Sequence, residues 1–124
     1  MGANSDKVEF EYKKLNDINI RKQKTEERLK QYPDRVPVVL EVGPNTDLEV
    51  SLKKNFLIEK TKKCSSFFIE VRKKLKIDKE KALFLITKGY IIKGDQTISE
   101  IYDKYKDKED GILYIHAYGE NIFG

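Results

Sequence analysis

Cys64 and His116 are the sole cysteine and histidine among the 124 residues, and together they would be the natural members of a thiol–imidazole pair. Such a pair needs the two groups within hydrogen-bond reach and a third group to orient the base. Neither requirement has support in the sequence. Cys64 opens the series Cys64, Phe67, Phe68, Val71 and Leu75, whose three- and four-residue spacing makes one apolar helical stripe. There a free cysteine behaves as a small buried hydrophobe. His116 alternates with Tyr114 and Tyr118 and so shares their face of a strand, with no acidic orienting partner or oxyanion loop apparent. Catalysis by the chain itself is not expected, and neither is a bound cofactor. A single cysteine allows no internal disulfide and no multi-cysteine metal site, which fits a reducing compartment.

The chemistry lies elsewhere, in the terminal run Tyr118-Gly119-Glu120-Asn121-Ile122-Phe123-Gly124. It follows an alternating apolar strand pattern over 112–118, an unusual way to finish a domain. Glycine lets backbone approach closely, so a carboxylate on Gly124 suits threading through a narrow channel in another protein. A second feature is basic charge. Residues 53–81 hold 11 Lys or Arg against 4 Asp or Glu, while the whole chain carries only +4. Acidic peptides, anionic headgroups and nucleic acid would all be attracted to such a face.

Elements must position these features. The length suits one domain, and the 37% of charged residues describes a heavily charged surface around a modest core. No apolar run is long enough to cross a bilayer, and the polar residues 4–7 do not read as a secretory signal. Met1-Gly2 is followed by Asp6 where N-myristoylation wants Ser or Thr. Residues 1–6 read as disordered. Residues 7–31 are polar and helix-favouring, with Asn16, Asp17 and Asn19 breaking them into two short helices. Strands are predicted over 36–42 and within 48–58, joined across the turn composition of 43–47. A helix carries the Cys64–Leu75 stripe. The continuously apolar run 82–87 predicts a central strand covered on both faces, followed by a short edge at 90–92. Thr97 and Glu100 have capping-box spacing for a last helix, and the final strand follows Gly111. This order predicts an α+β fold, a sheet with one long helix on one face.

Tyr32-Pro33-Asp34-Arg35-Val36-Pro37-Val38-Val39, Phe56-Leu57-Ile58, Val71-Arg72-Lys73-Lys74-Leu75, Glu80-Lys81-Ala82-Leu83-Phe84, Ile101-Tyr102 and the terminal run occur in family order. On these motifs, spanning about 18–124, the sequence resembles the autophagy-related protein 8 family, the GABARAP-type ubiquitin-like modifiers. The resemblance implies a ubiquitin-like β-grasp domain over 32–124 with two additional N-terminal helices within 1–31. It implies activating and conjugating enzymes that join Gly124 to the amine of phosphatidylethanolamine, with Phe123 and Asn121 as tail-recognition positions. It also implies a processing and delipidating cysteine protease, and a change from the cytoplasm to an autophagosomal or other organelle membrane on lipidation.

The resemblance further implies docking of aromatic-x-x-aliphatic peptide motifs of cargo receptors by strand addition along residues 53–58. The aromatic pocket maps onto Lys24, Arg28, Pro37, Leu57 and Ile112, and the aliphatic pocket onto Phe56, Ile58 and Phe67. Lys53 and Lys54 attract an acidic flank, Asn55 lies on the same edge, and Arg72 pairs locally or grips the partner's backbone. Asn55, Glu59, Lys62, Glu70, Lys24 and Arg28 depart from the family's usual residues, which implies a docking pocket that is more polar or shallower, while the tail keeps the family pattern. Two rival readings stay open: an unconjugated peptide-binding scaffold, and a basic nucleic-acid module. Residues 82–87 carry only Phe84 and lack an RNA-recognition signature, so no nucleic-acid partner is expected.

Overall fold

The polar N-terminal segment breaks where Asn16 and Asp17 fall, giving helices α1 (Glu11–Leu15) and α2 (Ile18–Gln31). The Asp17 carboxylate accepts the amide of Ile20 at 3.0 Å and caps α2. With 14 residues, α2 is longer than expected, because Asn19 lies in its first turn and faces solvent. The computed structural model describes residues 9–44, 48 and 53–121. The expected disorder of 1–6, most of the turn at 43–47, and the tail residues Phe123 and Gly124 lie outside them.

Strand β1 (Arg35–Val42) leads to β2 (Lys53–Glu59), α3 (Cys64–Leu75), β3 (Lys81–Thr87), β4 (Tyr90–Ile91), α4 (Ile98–Tyr105) and β5 (Leu113–Asn121). They form a five-stranded mixed sheet in the order β2-β1-β5-β3-β4. β1 and β5 run parallel, with Val38 opposite Leu113, and the other pairs are antiparallel. Pro37 stands near the start of β1, where its missing donor is tolerated.

The α3 stripe appears as its spacing predicts. Cys64, Phe67, Val71 and Leu75 are buried against Val36, Val38, Leu40, Ile58, Leu85, Leu113 and Ile115. Lys63, at the N-cap of α3, provides no side-chain cap. Carbonyls of Gln96 and Gly94 instead take the amides of Cys64 and Ser65 at 2.8 and 2.9 Å. At the other end Lys76 adopts left-handed backbone (φ 52°), so that the Ile77 amide reaches the Arg72 carbonyl at 3.1 Å. A side chain is strained there and glycine is not. Lys76→Gly should raise stability by about 0.5–1 kcal/mol, seen as a higher urea midpoint at unchanged slope.

Thr97 caps α4 as expected, accepting the Glu100 amide at 3.2 Å. Strand β3 departs from expectation. Only Leu85 and Thr87 are buried, and β4 pairs with Ile86 and Thr87 alone, so the first half of β3 is flanked by β5 on one side only. Its unbroken apolar run reflects packing at the sheet margin, not a strand covered on both faces. At the far end of β1, an added Cβ on Gly43 would lie 2.2 Å from the Tyr118 ring. Glycine there lets Tyr118 lie flat as β5 passes.

Candidate functional site

Strand β2 is one edge of the sheet. An edge strand offers unpaired backbone donors and acceptors, the requirement for adding a peptide strand. Its alternation separates two sets of residues. Ile58 and Phe56 sit opposite Val36 and Val38, which belong to the core under α3. Leu57 and Asn55 sit opposite Pro37 and Val39, on the face that carries the N-terminal helices. The strand therefore places Phe56 and Ile58 with Phe67 on one side, and Leu57 with Pro37 on the other. A strand-added ligand with alternating side chains would meet both sets.

The depth of each residue differs. On the α3 side Phe67 is 1% exposed and Ile58 is 5% exposed, so both are core residues, while Phe56 is half-buried. Phe56 packs edge-to-face on Phe67, with ring centroids 5.2 Å apart, and the Lys74 amine stands 5.5 Å over its ring. On the α2 side Pro37 is buried and Ile112 is fully covered, whereas Leu57 and Arg28 are half-buried and Lys24 is exposed. Asn55 is exposed on the edge, and Lys53 and Lys54 begin it. Arg72 is occupied locally: one guanidinium nitrogen donates to the carbonyls of Asp78 and Lys81, at 3.2 and 3.0 Å. Arg35 lies 3.8 Å from Glu59 across the β1–β2 pair.

Polar contacts seat the N-terminal helices on the sheet. The Glu41 carboxylate, buried on β1, accepts the amides of Glu11 and Tyr12 at 2.9 and 3.0 Å, at the start of α1. Phe10 stacks on His116 at 3.9 Å and leans on Tyr114 at 5.0 Å. Lys13 pairs with Asp107 at 2.6 Å and stands 4.7 Å over the Tyr114 ring. Asp110 is the hub beneath α2. Its buried carboxylate takes Arg21 at 2.7 Å, the Tyr114 hydroxyl at 2.6 Å and the Ile112 amide at 2.9 Å. Burial and the hydrogen bond to Asp110 push the Tyr114 phenol strongly up. Asp107 is the reverse: burial works against its charge, but Lys13 and the amides of Glu109 and Asp110 hold it below the usual carboxylate range.

Cys64 and His116 are on opposite sides of the sheet. Cys64 lies in the α3 core, its thiol pushed up to about 11 by burial and, secondarily, by the Glu100 and Asp95 charges. His116 lies under Phe10, its imidazole pushed down to about 4 by burial. No dyad exists. Among the described residues no cluster of His, Cys, Asp and Glu is arranged to hold a metal ion, and no helix is long and apolar enough to cross a membrane.

The tail begins inside the sheet. β5 is paired with β3 from Ile86 opposite His116 to Lys81 opposite Asn121, so the strand runs up to the last three residues. A mixed sheet crossed by one long helix, with a parallel pair at its centre and a carboxyl end leaving its middle strand, defines a ubiquitin-like β-grasp protein, here with two helices ahead of the domain. The family model described as "Autophagy protein Atg8 ubiquitin like" matches residues 20–124. Autophagy-related protein 8 of Mycosarcoma maydis is 38% identical over 111 residues, 88% of this chain and 93% of the relative. That of Dictyostelium discoideum is 37% identical over 114 residues, 91% of this chain and 93% of the relative. The crystal structure of Trypanosoma brucei ATG8 superimposes with a TM-score of 0.85 at 30% identity, covering 94% of this chain and 100% of that one. The chain belongs to the Atg8 family of ubiquitin-like autophagy proteins.

Proposed function

We propose that the chain is a modifier consumed by other proteins' catalysis and not itself a catalyst. Its Gly124 carboxylate is adenylated by an activating enzyme at the expense of ATP, with release of pyrophosphate. It passes as a thioester to a conjugating enzyme's cysteine, releasing AMP. The amine of phosphatidylethanolamine then displaces that thiol and forms an amide. Two acyl chains make a stable anchor where one would not, so the cytoplasmic protein becomes a membrane-bound adaptor on the autophagosome or another organelle. A cysteine protease reverses the link. The observation that carries this reading is family membership over residues 20–124, which reaches through the terminal glycine.

The same reading gives β2 a task. An aromatic-x-x-aliphatic segment of a cargo receptor adds to the open edge at Lys53–Glu59, one anchor facing Leu57 and Pro37 and the other facing Phe56. The unpaired edge and its two-sided alternation support this. Reconstitution tests the whole. With activating and conjugating enzymes, ATP and phosphatidylethanolamine liposomes, intact mass should rise by one lipid, and fragmentation should place it on Gly124. A mass that never shifts with enzymes active on another family member, while peptides still bind, leaves an unconjugated scaffold and rejects the modifier.

A further inference from the structure

Residues 72–81 hold six Lys or Arg against two Asp or Glu, an excess of +4 that equals the formal charge of the whole chain. The rest of the sequence is therefore balanced. The fold sets this run at one end of the sheet. Arg72, in the last turn of α3, donates to the carbonyls of Asp78 and Lys81 and so ties the helix end to the start of β3. Lys81 is in turn paired with Asn121 of β5, three residues before Gly124. Lys73, Lys74, Lys76 and Lys79 are exposed around this junction, and among the described residues none of them takes part in an ion pair. Glu120, exposed on β5 opposite Ala82, belongs to the face of the sheet away from α3, since Ala117 three positions earlier lies in the α3 core.

Part of this charge has a local explanation. Lys73 and Lys74 lie in the last turn of α3, where cations complement the helix dipole, and Lys74 also stands 5.5 Å over the Phe56 ring. Lys76 and Lys79 have no such role. Lys76 follows the helix in left-handed backbone that suits glycine, so a lysine there costs the fold stability and supplies charge. Lys79 lies in the turn into β3, closed by the Lys81 amide on the Asp78 carbonyl at 3.1 Å. Ile77, between them, packs on the core, which leaves the turn without a free apolar side chain. The one arginine of the run is held by backbone carbonyls. What remains is a set of ammonium groups, point charges without the fork that recognises a single carboxylate. Such a cluster matches a diffuse anionic surface better than a peptide. We propose that the end of α3 and the turn into β3 form a contact surface for an anionic bilayer, drawing the chain to acidic headgroups and setting which end of the sheet faces them. This goes beyond the conjugation reading, because the attraction acts on the unconjugated chain as well.

Sedimentation of the full, unconjugated chain with vesicles tests it, one set of phosphatidylcholine alone and one with about one-third phosphatidylserine. The chain should partition onto the anionic vesicles at low salt, not onto the neutral ones, and should be released as salt rises. Lys79→Gln should lower the partition coefficient about fivefold, the share of one lysine near the surface. Lys76→Gly should lower it as much while raising the urea midpoint, so that lost binding cannot be read as lost folding. Lys108→Gln removes the same charge from the loop before β5, at the opposite end of that strand from the tail. It should leave the partition within about twofold of the unsubstituted chain. Equal losses in Lys79→Gln and Lys108→Gln would mean that net charge alone is at work, and would overturn the surface. Equal binding to both vesicles would do the same. No partition at low salt, with an acidic peptide held by Lys76 and Lys79 or with nothing held, would also overturn it. Because no conjugation enters the assay, its result stands apart from the mass shift at Gly124.

Discussion

Asp110→Ala should lower the unfolding free energy by about 3–5 kcal/mol, the cost of leaving a buried ion-pair partner alone. The Asp110 side chain has no exposed surface, and its Arg21 partner is only 12% exposed. The substitution strands three donors at once: the Arg21 guanidinium, the Tyr114 hydroxyl and the Ile112 amide. Tyr114→Phe removes one hydrogen bond and should cost only about 1 kcal/mol. The double variant Arg21→Met with Asp110→Leu removes both charges and should recover most of the loss, since a buried pair is often replaceable by apolar residues. Urea denaturation of these proteins, with Arg21→Met and Asp110→Leu made singly to complete the cycle, would give the coupling. A single Asp110→Ala loss below about 1 kcal/mol would mean that water reaches the carboxylate and that α2 is not held there.

Stability should also fall in mild acid, and His116 should be the cause. Burial under Phe10 pushes its imidazole down to about 4, against 6.5 without the fold. Between those values the unfolded chain binds a proton that the folded chain refuses. The stability is therefore fully present above pH 6.5 and is lost as pH falls toward 4. The full difference would be on the order of 3 kcal/mol. The groups facing His116 are Phe10 stacked above it, Tyr118 at 6.2 Å on the same strand, and Glu41 as its neighbour on β1. Glu41 is committed to the α1 amides. His116→Phe should flatten the stability profile over this range, measured by urea unfolding at several pH values. A profile over that range unchanged by the substitution would remove His116 as the cause; Asp107, whose lowered pKa places its contribution below pH 4, should add its own loss only there.

Apolar periodicity was enough to place α3, because Cys64, Phe67, Val71 and Leu75 are all buried as their spacing requires. The breaks at Asn16 and Asp17 and the cap at Thr97 were equally legible, since capping is local chemistry. The seating of the N-terminal helices was not. Glu41 lies 30 positions from the Glu11 amide it caps, and Asp110 lies 89 from Arg21, so neither contact leaves a local pattern. Each appears in sequence as an ordinary surface charge. Phe67, Ile58 and Ile112 show the complementary limit: the family pattern names them as lining residues, but depth depends on what covers them. Here Ile112 shares a small second core with Val39 and Tyr114, against which Phe10 and Tyr12 pack. That Ile112 is fully covered could not be anticipated from position alone.

The pairing of β5 with β3 up to Asn121 sets the length of a leash. Between it and the proposed conjugation site lie Ile122, Phe123 and Gly124, at most about 10 Å of chain when fully extended. If a lipid is joined at Gly124 as proposed, it would keep the end of the sheet from which β5 leaves close to the bilayer. Because β1 runs parallel to β5 and antiparallel to β2, that is also the end at which β2 starts, at Lys53. A peptide lying along β2 would have its Lys53 end, level with His116, nearer the headgroups than its Glu59 end. On the proposed docking and conjugation, a receptor segment leaving at the Lys53 end would run toward the membrane surface and come within reach of its charge.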